Sequence, residues 1–344
     1  MPPLLSIIIP TYNHAHCLPG LLKNIAGQKF RDFEVILVDD CSDDPYDAII
    51  EAWNNQGFDL RLFRNPCRQY TKNTRLNGVE QARGDLVMFV DADDLLTGDT
   101  ALGFHVAMLR EKNADLLHFQ VASYKTDAMD KMDPELFAWT RPLGEYLSGQ
   151  EIFERYARED LRSHLVYGKI ATRELWQKCM EPARASSIRR YQEDLLLCSL
   201  LFFHARSYVG SNKIGYIRSW RDKTFEKSIG RTASLYAMLT EFVPYIGRNG
   251  AGDAAIQATG AYLMKNLRNH VVMAAGRALG VHGCPTSDGL IREIEEHCDV
   301  ATFVKALMTG FPLHHMFKLE NENQIFKQHI AVLEQEKEAL RRCA

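Results

Sequence analysis

Five short apolar runs alternate with helix-spaced patterns over about the first 120 residues, and that alternation points to an α/β fold built around a parallel sheet. The runs are Leu4 to Ile9, Phe33 to Val38, Leu60 to Phe63, Leu86 to Val90 and about 115–121. Between them Leu18, Leu21, Leu22 and Ile25 recur at helical spacing, as do Tyr46, Ile49, Ile50 and Trp53, and then Leu76, Val79 and Ala82. A fourth helix is expected over about 99–112. Pro10 is read as the end of the first strand, Asp44-Pro45 as a cap with proline at the first helical position, and Gly84 as a helix C-cap. Leu86 to Val90 is apolar throughout, the pattern of a strand buried on both faces.

Farther along, the pattern weakens from about 125 to 147, where Pro134 and Pro142 break any long element. Ser148-Gly149-Gln150-Glu151 has the form of a capping box opening a helix. Leu165 to Ile170 reads as a strand, and Glu193 to Phe203 as a strongly apolar helix. A helical region runs from about 224 to 312, interrupted by Gly and Pro near 280–286. Leu319, Phe326, Leu333 and Leu340 then fall seven apart, with Asn323 at an interleaved core position that can set register and oligomer state. A surface helix on its own domain and a helix that pairs two copies of the chain both fit this beat. The resulting division is a domain over 1–222, a helical accessory region over 223–315 and an amphipathic C-terminal helix over 316–344.

The 344 residues exceed one ordinary core and suit a large domain with an accessory unit. A formal net charge of -3 gives no reason to expect a nucleic-acid partner. No run approaches the roughly 20 apolar residues of a membrane-spanning helix, and the N-terminus lacks the basic start of a signal peptide. The eight cysteines have neither a CxxC pair nor a zinc-like spacing, which suits reduced thiols. The expected setting is the cytoplasm, with peripheral contact at the inner face of the membrane left open.

Ligands of open parallel sheets bind beyond the carboxyl ends of the strands. Three polar motifs stand there: Pro10-Thr11-Tyr12-Asn13, Asp39-Asp40 and Asp91-Ala92-Asp93-Asp94. One Asp-x-Asp alone is an ordinary turn sequence; three motifs aimed at one crevice are a site. Carboxylates at i and i+2 can hold a hard divalent cation, Mn²⁺ or Mg²⁺, that bridges a diphosphate. No Gly-rich phosphate loop follows the first strand, which argues against a dinucleotide dehydrogenase and a P-loop NTPase.

These residues resemble the family 2 glycosyltransferases, inverting enzymes of the GT-A fold. The likeness runs through Ser6 to Asn13 and Gln28 to Ser42, and is densest over Thr74 to Asp85 and Phe89 to Asp94. Weaker likeness continues at Tyr167-Gly168-Lys169-Ile170 with Arg173-Glu174-Leu175, at Glu193-Asp194 and at Tyr216-Ile217-Arg218. It implies a Rossmann-like, mostly parallel sheet flanked by helices, with the donor nucleotide sugar over 1–120 and the acceptor side over 121–222. It also implies residue roles. Pro10 and Tyr12 line the nucleoside site, Asp40 contacts the base, and Arg75, Ala92 and Arg218 belong to the donor pocket. Asp91 lies near ribose and metal, Asp93 is the main metal ligand, Asp94 and Glu193 face sugar or acceptor, and Asp194 is the general base. Leu76 and Cys41 depart from the family, which often has Asn, and Asn or Gly, at those positions.

The activity so implied is inverting transfer of a sugar from a nucleotide diphosphate, UDP by resemblance, to a hydroxyl of a glycan or glycolipid in bacterial surface polysaccharide synthesis. Two other readings stand beside it. A non-catalytic module binding a nucleotide sugar or glycan would favour loss of the acids, which are present; a nucleotidyltransferase would favour a Gly-rich basic loop, which is not. Locally, Glu193-Asp194 also reads as ordinary acids in a helix's first turn, and Arg218, Arg221, Lys223 and Lys227 as a solvated basic loop or a diphosphate clamp. His204, His314 and His315 read as ordinary helix or loop residues rather than metal ligands.

Overall fold

The computed structural model describes residues 2–55, 57–124, 132–189, 192–219 and 228–278. The heptad segment, His314, His315, Arg221, Lys223 and Lys227 lie outside them. In chain order the elements are β1 (Leu5–Thr11), α1 (Leu18–Ala26), β2 (Phe33–Asp39), α2 (Asp47–Asn54), β3 (Leu60–Arg64), α3 (Tyr70–Gln81) and β4 (Leu86–Phe89). They continue as β5 (Leu95–Leu96), α4 (Ala101–Glu111), β6 (Leu116–Ser123), α5 (Pro134–Trp139), β7 (Tyr146–Ser148) and α6 (Gln150–Arg158). Then come β8 (Lys169–Thr172), α7 (Arg173–Ala185), α8 (Glu193–His204), β9 (Ser207–Arg218), α9 (Ser228–Ala237), α10 (Val243–Arg248) and α11 (Asp253–Ala278).

The chain divides into two compact units, Met1–Lys223 with Glu241–Thr259, and Thr224–Thr240 with Gly260–Ala344. The first contains one sheet in the order β3-β2-β1-β4-β8-β6-β9-β5, with β7 paired to β9. Its first four strands are parallel; β8 runs antiparallel to both β4 and β6, and β9 returns parallel to β6. This is the mixed α/β sheet of the GT-A fold. One face of β1, through Leu5, Ile7 and Ile9, packs with Leu18, Leu21, Leu22 and Ile25 of α1. On the other face α3 lies close to β1: a Cβ at Gly78 would sit 2.4 Å from Ile8 Cγ2. No helix of the described residues is long and apolar enough to cross a membrane.

Four local expectations give way to tertiary contacts. β1 runs through Pro10, which pairs with Val38 beyond the last residue that β1 shares with β4; at such an edge the missing N–H is tolerated. Asp44 does not cap α2, whose N-cap is Tyr46; its Oδ2 accepts from Ala15 N at 2.8 Å. Gly84 lies past the C-cap Ala82, and a Cβ there would meet Ser6 N at 2.7 Å, so its lack of side chain serves close approach to β1. Ser148 belongs to β7, and α6 begins after Gly149, whose φ of +60° is the left-handed region that glycine adopts freely.

Candidate active site

Parallel pairing brings the ends of β1 and β2 side by side, Thr11 opposite Asp39, and Asp40 N donates to Thr11 O at 2.9 Å. Val90 N donates to Ile8 O at 3.0 Å, which carries the Asp91-Ala92-Asp93-Asp94 turn to the same edge. Asn13 N in turn donates to Ser42 Oγ, and Asp43 N to Asn13 Oδ1. Cys41, between these, has a φ of +64°, the left-handed region where Asn and Gly are favoured. Asn or Gly at this position therefore answers a backbone need, which Cys41 meets while keeping its thiol exposed.

Just past β2, Asp40 is buried, and its carboxylate organises the loop before α3. Oδ1 accepts from Asn65 Nδ2 at 2.9 Å and Gln69 N at 2.7 Å, and Oδ2 from Tyr70 N at 2.9 Å. That loop lays the Arg68 guanidinium 3.8 Å above the Tyr12 ring, the geometry of a cation–π contact. Arg68 was not among the residues singled out from the sequence; its local pattern, Cys67-Arg68-Gln69, carries no signal.

A second cluster centres on Arg75, buried on α3. Its Nη2 donates to Asp91 Oδ1 at 2.9 Å and its Nη1 to Asp194 Oδ1, so one guanidinium joins two carboxylates 103 residues apart in sequence (194 less 91). The Arg75 side chain is 3% exposed, against 27% for Asp91 and 21% for Asp194. The two acids hold its charge and push its pKa above the ordinary arginine value in spite of burial. Asp194 and Glu193 form the first turn of α8, whose N-cap Gln192 is left-handed and makes no side-chain cap. Burial raises the pKa of Asp194, with Arg75 acting the other way. Burial beside Asp194 pushes Glu193 up to about 7.

Asp94 is turned toward the end of β9. Tyr216 Oη donates to its Oδ2 at 2.7 Å, Ser219 N donates to its Oδ1 at 2.8 Å, and Tyr216 Oη accepts from Asp91 N at 3.0 Å. Burial and the neighbouring Asp91 push Asp94 up to about 7, against the lowering effect of these bonds and of Arg218. Ser219 Oγ also donates to Asp93 O, so β9 holds the whole turn. Ala92 is buried beneath it, and Asp93 is half-buried. Tyr216 stacks on Tyr167 with centroids 4.8 Å apart, which ties in the Tyr167-Gly168-Lys169-Ile170 segment.

Lys72 and Glu241 were missed by the sequence reading. Lys72 is 1% exposed, donates to Ala183 O at 2.7 Å and Ser186 O at 3.0 Å, and is pushed down to about 8 by burial. Glu241 accepts from Ser186 Oγ at 2.7 Å and Ser187 N at 3.0 Å. Together they hold the end of α7 and the Ser186-Ser187 segment after it. No sequence signal marks either, because their partners lie 54 to 114 residues away. His204 is half-buried, with Nε2 2.9 Å from Tyr245 Oη.

The crevice beyond the ends of β1, β2 and β4, with its acids joined across to α8, is that of a GT-A glycosyltransferase. The description of glycosyl transferase family 2 matches residues 6–173. The chain is 36% identical over 268 residues to the Campylobacter jejuni GalNAc(5)-diNAcBac-PP-undecaprenol beta-1,3-glucosyltransferase, covering 70% of this chain and 84% of that protein. Over 115 residues it is 35% identical to Staphylococcus aureus poly(ribitol-phosphate) beta-N-acetylglucosaminyltransferase TarS, 33% of this chain and 20% of that one. The crystal structure of TarS 1–349 with UDP superposes with a TM-score of 0.57 at 21% identity, over 82% of this chain and 76% of that chain. That of the Pyrobaculum calidifontis mannosyltransferase PcManGT with GDP-Man and Mn²⁺ gives 0.53 at 15% identity, over 93% and 89%. The chain belongs to the family 2 glycosyltransferases.

Proposed function

We propose that this glycosyltransferase moves a sugar, with inversion, from a UDP-sugar to a hydroxyl of a lipid-linked glycan, using Asp194 as general base. The observation that carries this reading is the Arg75 bridge between Asp91 and Asp194. It couples the acid expected beside the donor's ribose to the acid expected to take the acceptor's proton. The acceptor oxygen loses its proton to Asp194 as it bonds to the anomeric carbon. The bond from that carbon to the diphosphate breaks, and its electron pair leaves with UDP. The Arg75 guanidinium stabilises the negative charge on Asp91 and Asp194 and keeps the base oriented. Its Nε–H is buried with no hydrogen-bond partner among the described residues, a donor left over for a ligand oxygen.

Asp91 and Asp93 are the residues that would hold a divalent metal. Their hard oxygens suit Mn²⁺ or Mg²⁺. Among the described residues no three His, Cys, Asp or Glu gather into a complete ligand set, so donor phosphate oxygens and water would complete the shell. When bound, the ion supplies charge neutralisation for the departing diphosphate. Asp40 and Tyr12 serve the nucleoside end, and Asp94 positions the metal-side turn through Tyr216. The lipid-linked acceptor follows the Campylobacter relative, whose name specifies a glycan on PP-undecaprenol.

The test is nucleotide release from a panel of UDP- and GDP-sugars, with Mn²⁺ and then with EDTA. Release from a UDP-sugar that EDTA suppresses and Asp93→Ala abolishes is expected. Release from no donor, with wild type indistinguishable from Asp93→Ala, would leave a binding module instead.

A further inference from the structure

A cavity of about 410 Å³ opens on the acceptor half of the sheet, lined by Gln120, Phe137, Ala138, Arg141, Arg162 and Asn212. Its walls are largely apolar, and two arginines line it, Arg141 exposed and Arg162 half-buried. Among the described residues neither Arg141 nor Arg162 forms an ion pair or a side-chain hydrogen bond, although most other arginines of this unit are paired. An apolar hollow with two uncompensated cations is complementary to an anion that carries a hydrocarbon tail.

Both arginines stand on loops tied down by buried groups. Beside Arg141, Leu143 N donates to Tyr208 Oη at 2.9 Å and Gly210 N donates to Glu145 O at 3.0 Å. Beside Arg162, the buried Lys169 donates to Ser163 O at 2.8 Å and Leu165 O at 2.6 Å, and His118 Nε2 lies 2.8 Å from Ser163 Oγ. Asp160, Leu161 and Ser163 all have positive φ, a concentration of backbone strain that persists where surrounding structure imposes it and that clusters at ligand clamps. Asn212 lies where the β6–β9 register shifts, Phe119 pairing with Ser211 and Gln120 with Ile214; bulges of this kind re-aim side chains near sites.

The cavity lies on the face of β6 that α8 packs against. Gln120 alternates with His118 along β6, and His118 meets Phe202 of α8, the helix whose first turn holds Asp194. Ser123, the partner of Arg218 at the donor end, lies three residue steps beyond Gln120, about 10 Å along a strand. Resting on the lipid-linked acceptor of the preceding section, we propose that this cavity is an acceptor subsite. Arg141 and Arg162 would grip the diphosphate and Phe137 the first prenyl unit of a prenyl-diphosphate-linked glycan. Lys169, the buried lysine of the Tyr167-Gly168-Lys169-Ile170 segment, is the positioning residue that holds the Arg162 loop in place.

The probe is farnesyl diphosphate, titrated calorimetrically into the full chain in EDTA, with and without excess UDP, so that the metal of the donor site is taken out of play. One saturable site is expected in wild type, weakened at least tenfold in R141A/R162A, with farnesol and inorganic diphosphate each binding less tightly than farnesyl diphosphate. Equal binding by wild type and variant would overturn the proposal. So would competition by UDP, or wild-type binding to phosphatidylglycerol vesicles that the variant loses while farnesyl diphosphate fails to bind, which would indicate a bilayer contact. UDP-sugar hydrolysis measured in parallel separates the two readings. Donor turnover with unchanged farnesyl diphosphate binding in the variant sinks the cavity alone. Absence of turnover with lost binding sinks the donor reading alone.

Discussion

In the parallel half of the sheet, β3-β2-β1-β4, the two acids at and just past the end of β2 are answered by the backbone of the loops that follow. Asp40 accepts from the backbone of Gln69 and Tyr70, and Asp39 from Ser42 N. In the mixed half, β8-β6-β9, the polar groups lie within the strands themselves. Lys169, His118 and Gln120 are buried and reach the carbonyls and hydroxyls of loops folded over the sheet. The reversal at β8 explains the contrast. Parallel strands deliver every carboxyl end to one edge, where short loops suffice; an antiparallel strand removes that regularity, and long-range side-chain contacts must shape the face. The carboxyl edge of the parallel half is therefore held by backbone donors, and the mixed half by buried side chains. Arg75 is where the two meet.

Breaking the meeting point should have the largest effects. Asp194→Asn should lower kcat by about 10²- to 10⁴-fold with little change in the donor KM, read in steady-state assays. Because burial raises the pKa of Asp194, the acid limb of the wild-type rate profile should lie above the ordinary carboxylate range, activity rising as pH carries Asp194 to its charged form. Arg75→Ala leaves two partly buried carboxylates without their cation, and loss of one partner of a buried pair costs about 3–5 kcal/mol. Urea titration should show that loss, and Arg75→Lys should recover stability better than kcat, since an ammonium cannot replace the fork.

The contrast between halves is sharpened by two matched changes. Gly84→Ala drives a Cβ to 2.7 Å from Ser6 N and should cost about 1–3 kcal/mol by overpacking, with weaker UDP binding as β1 and β4 shift. Lys169→Met leaves the Ser163 and Leu165 carbonyls without their donor, a cost of about 1–3 kcal/mol, and should spare UDP affinity while raising the acceptor KM. Equal effects of both on UDP affinity would erase the distinction drawn between the halves.

The smallest effect expected is one of pH. Folding raises Glu193 from its ordinary 4.5 to about 7, so between those values the native state keeps a proton that the unfolded chain has lost. Stability from this group therefore falls as pH rises through that window and stays lower above it. Glu193→Gln removes the slope: its Tm should match wild type near pH 4 and exceed it by a few degrees at pH 8.

Much of the parallel half was legible because its signals are local. The apolar runs at Leu5, Phe33, Leu60 and Leu86 became β1 to β4, and the polar motifs after three of them meet at one edge. Local rules misread Asp44, Gly84 and Ser148, each a residue whose chemistry suits a cap but whose partner proved to be another segment: Ala15 N for Asp44, the backbone of β1 for Gly84, the pairing with β9 for Ser148. At the site, Asp91 and Asp194 stood out as acids, but nothing in their neighbours showed that Arg75 would join them. The sequence by itself determined the alternation of elements, the α/β class and the acids at the strand ends, because a strand's period and a turn's polarity are written within a few residues. Only the tertiary structure decided which acids share a cation, which lysines are buried, and where Arg141 and Arg162 meet an apolar hollow. Those contacts span tens to more than a hundred residues, and their energies depend on burial that no local pattern encodes.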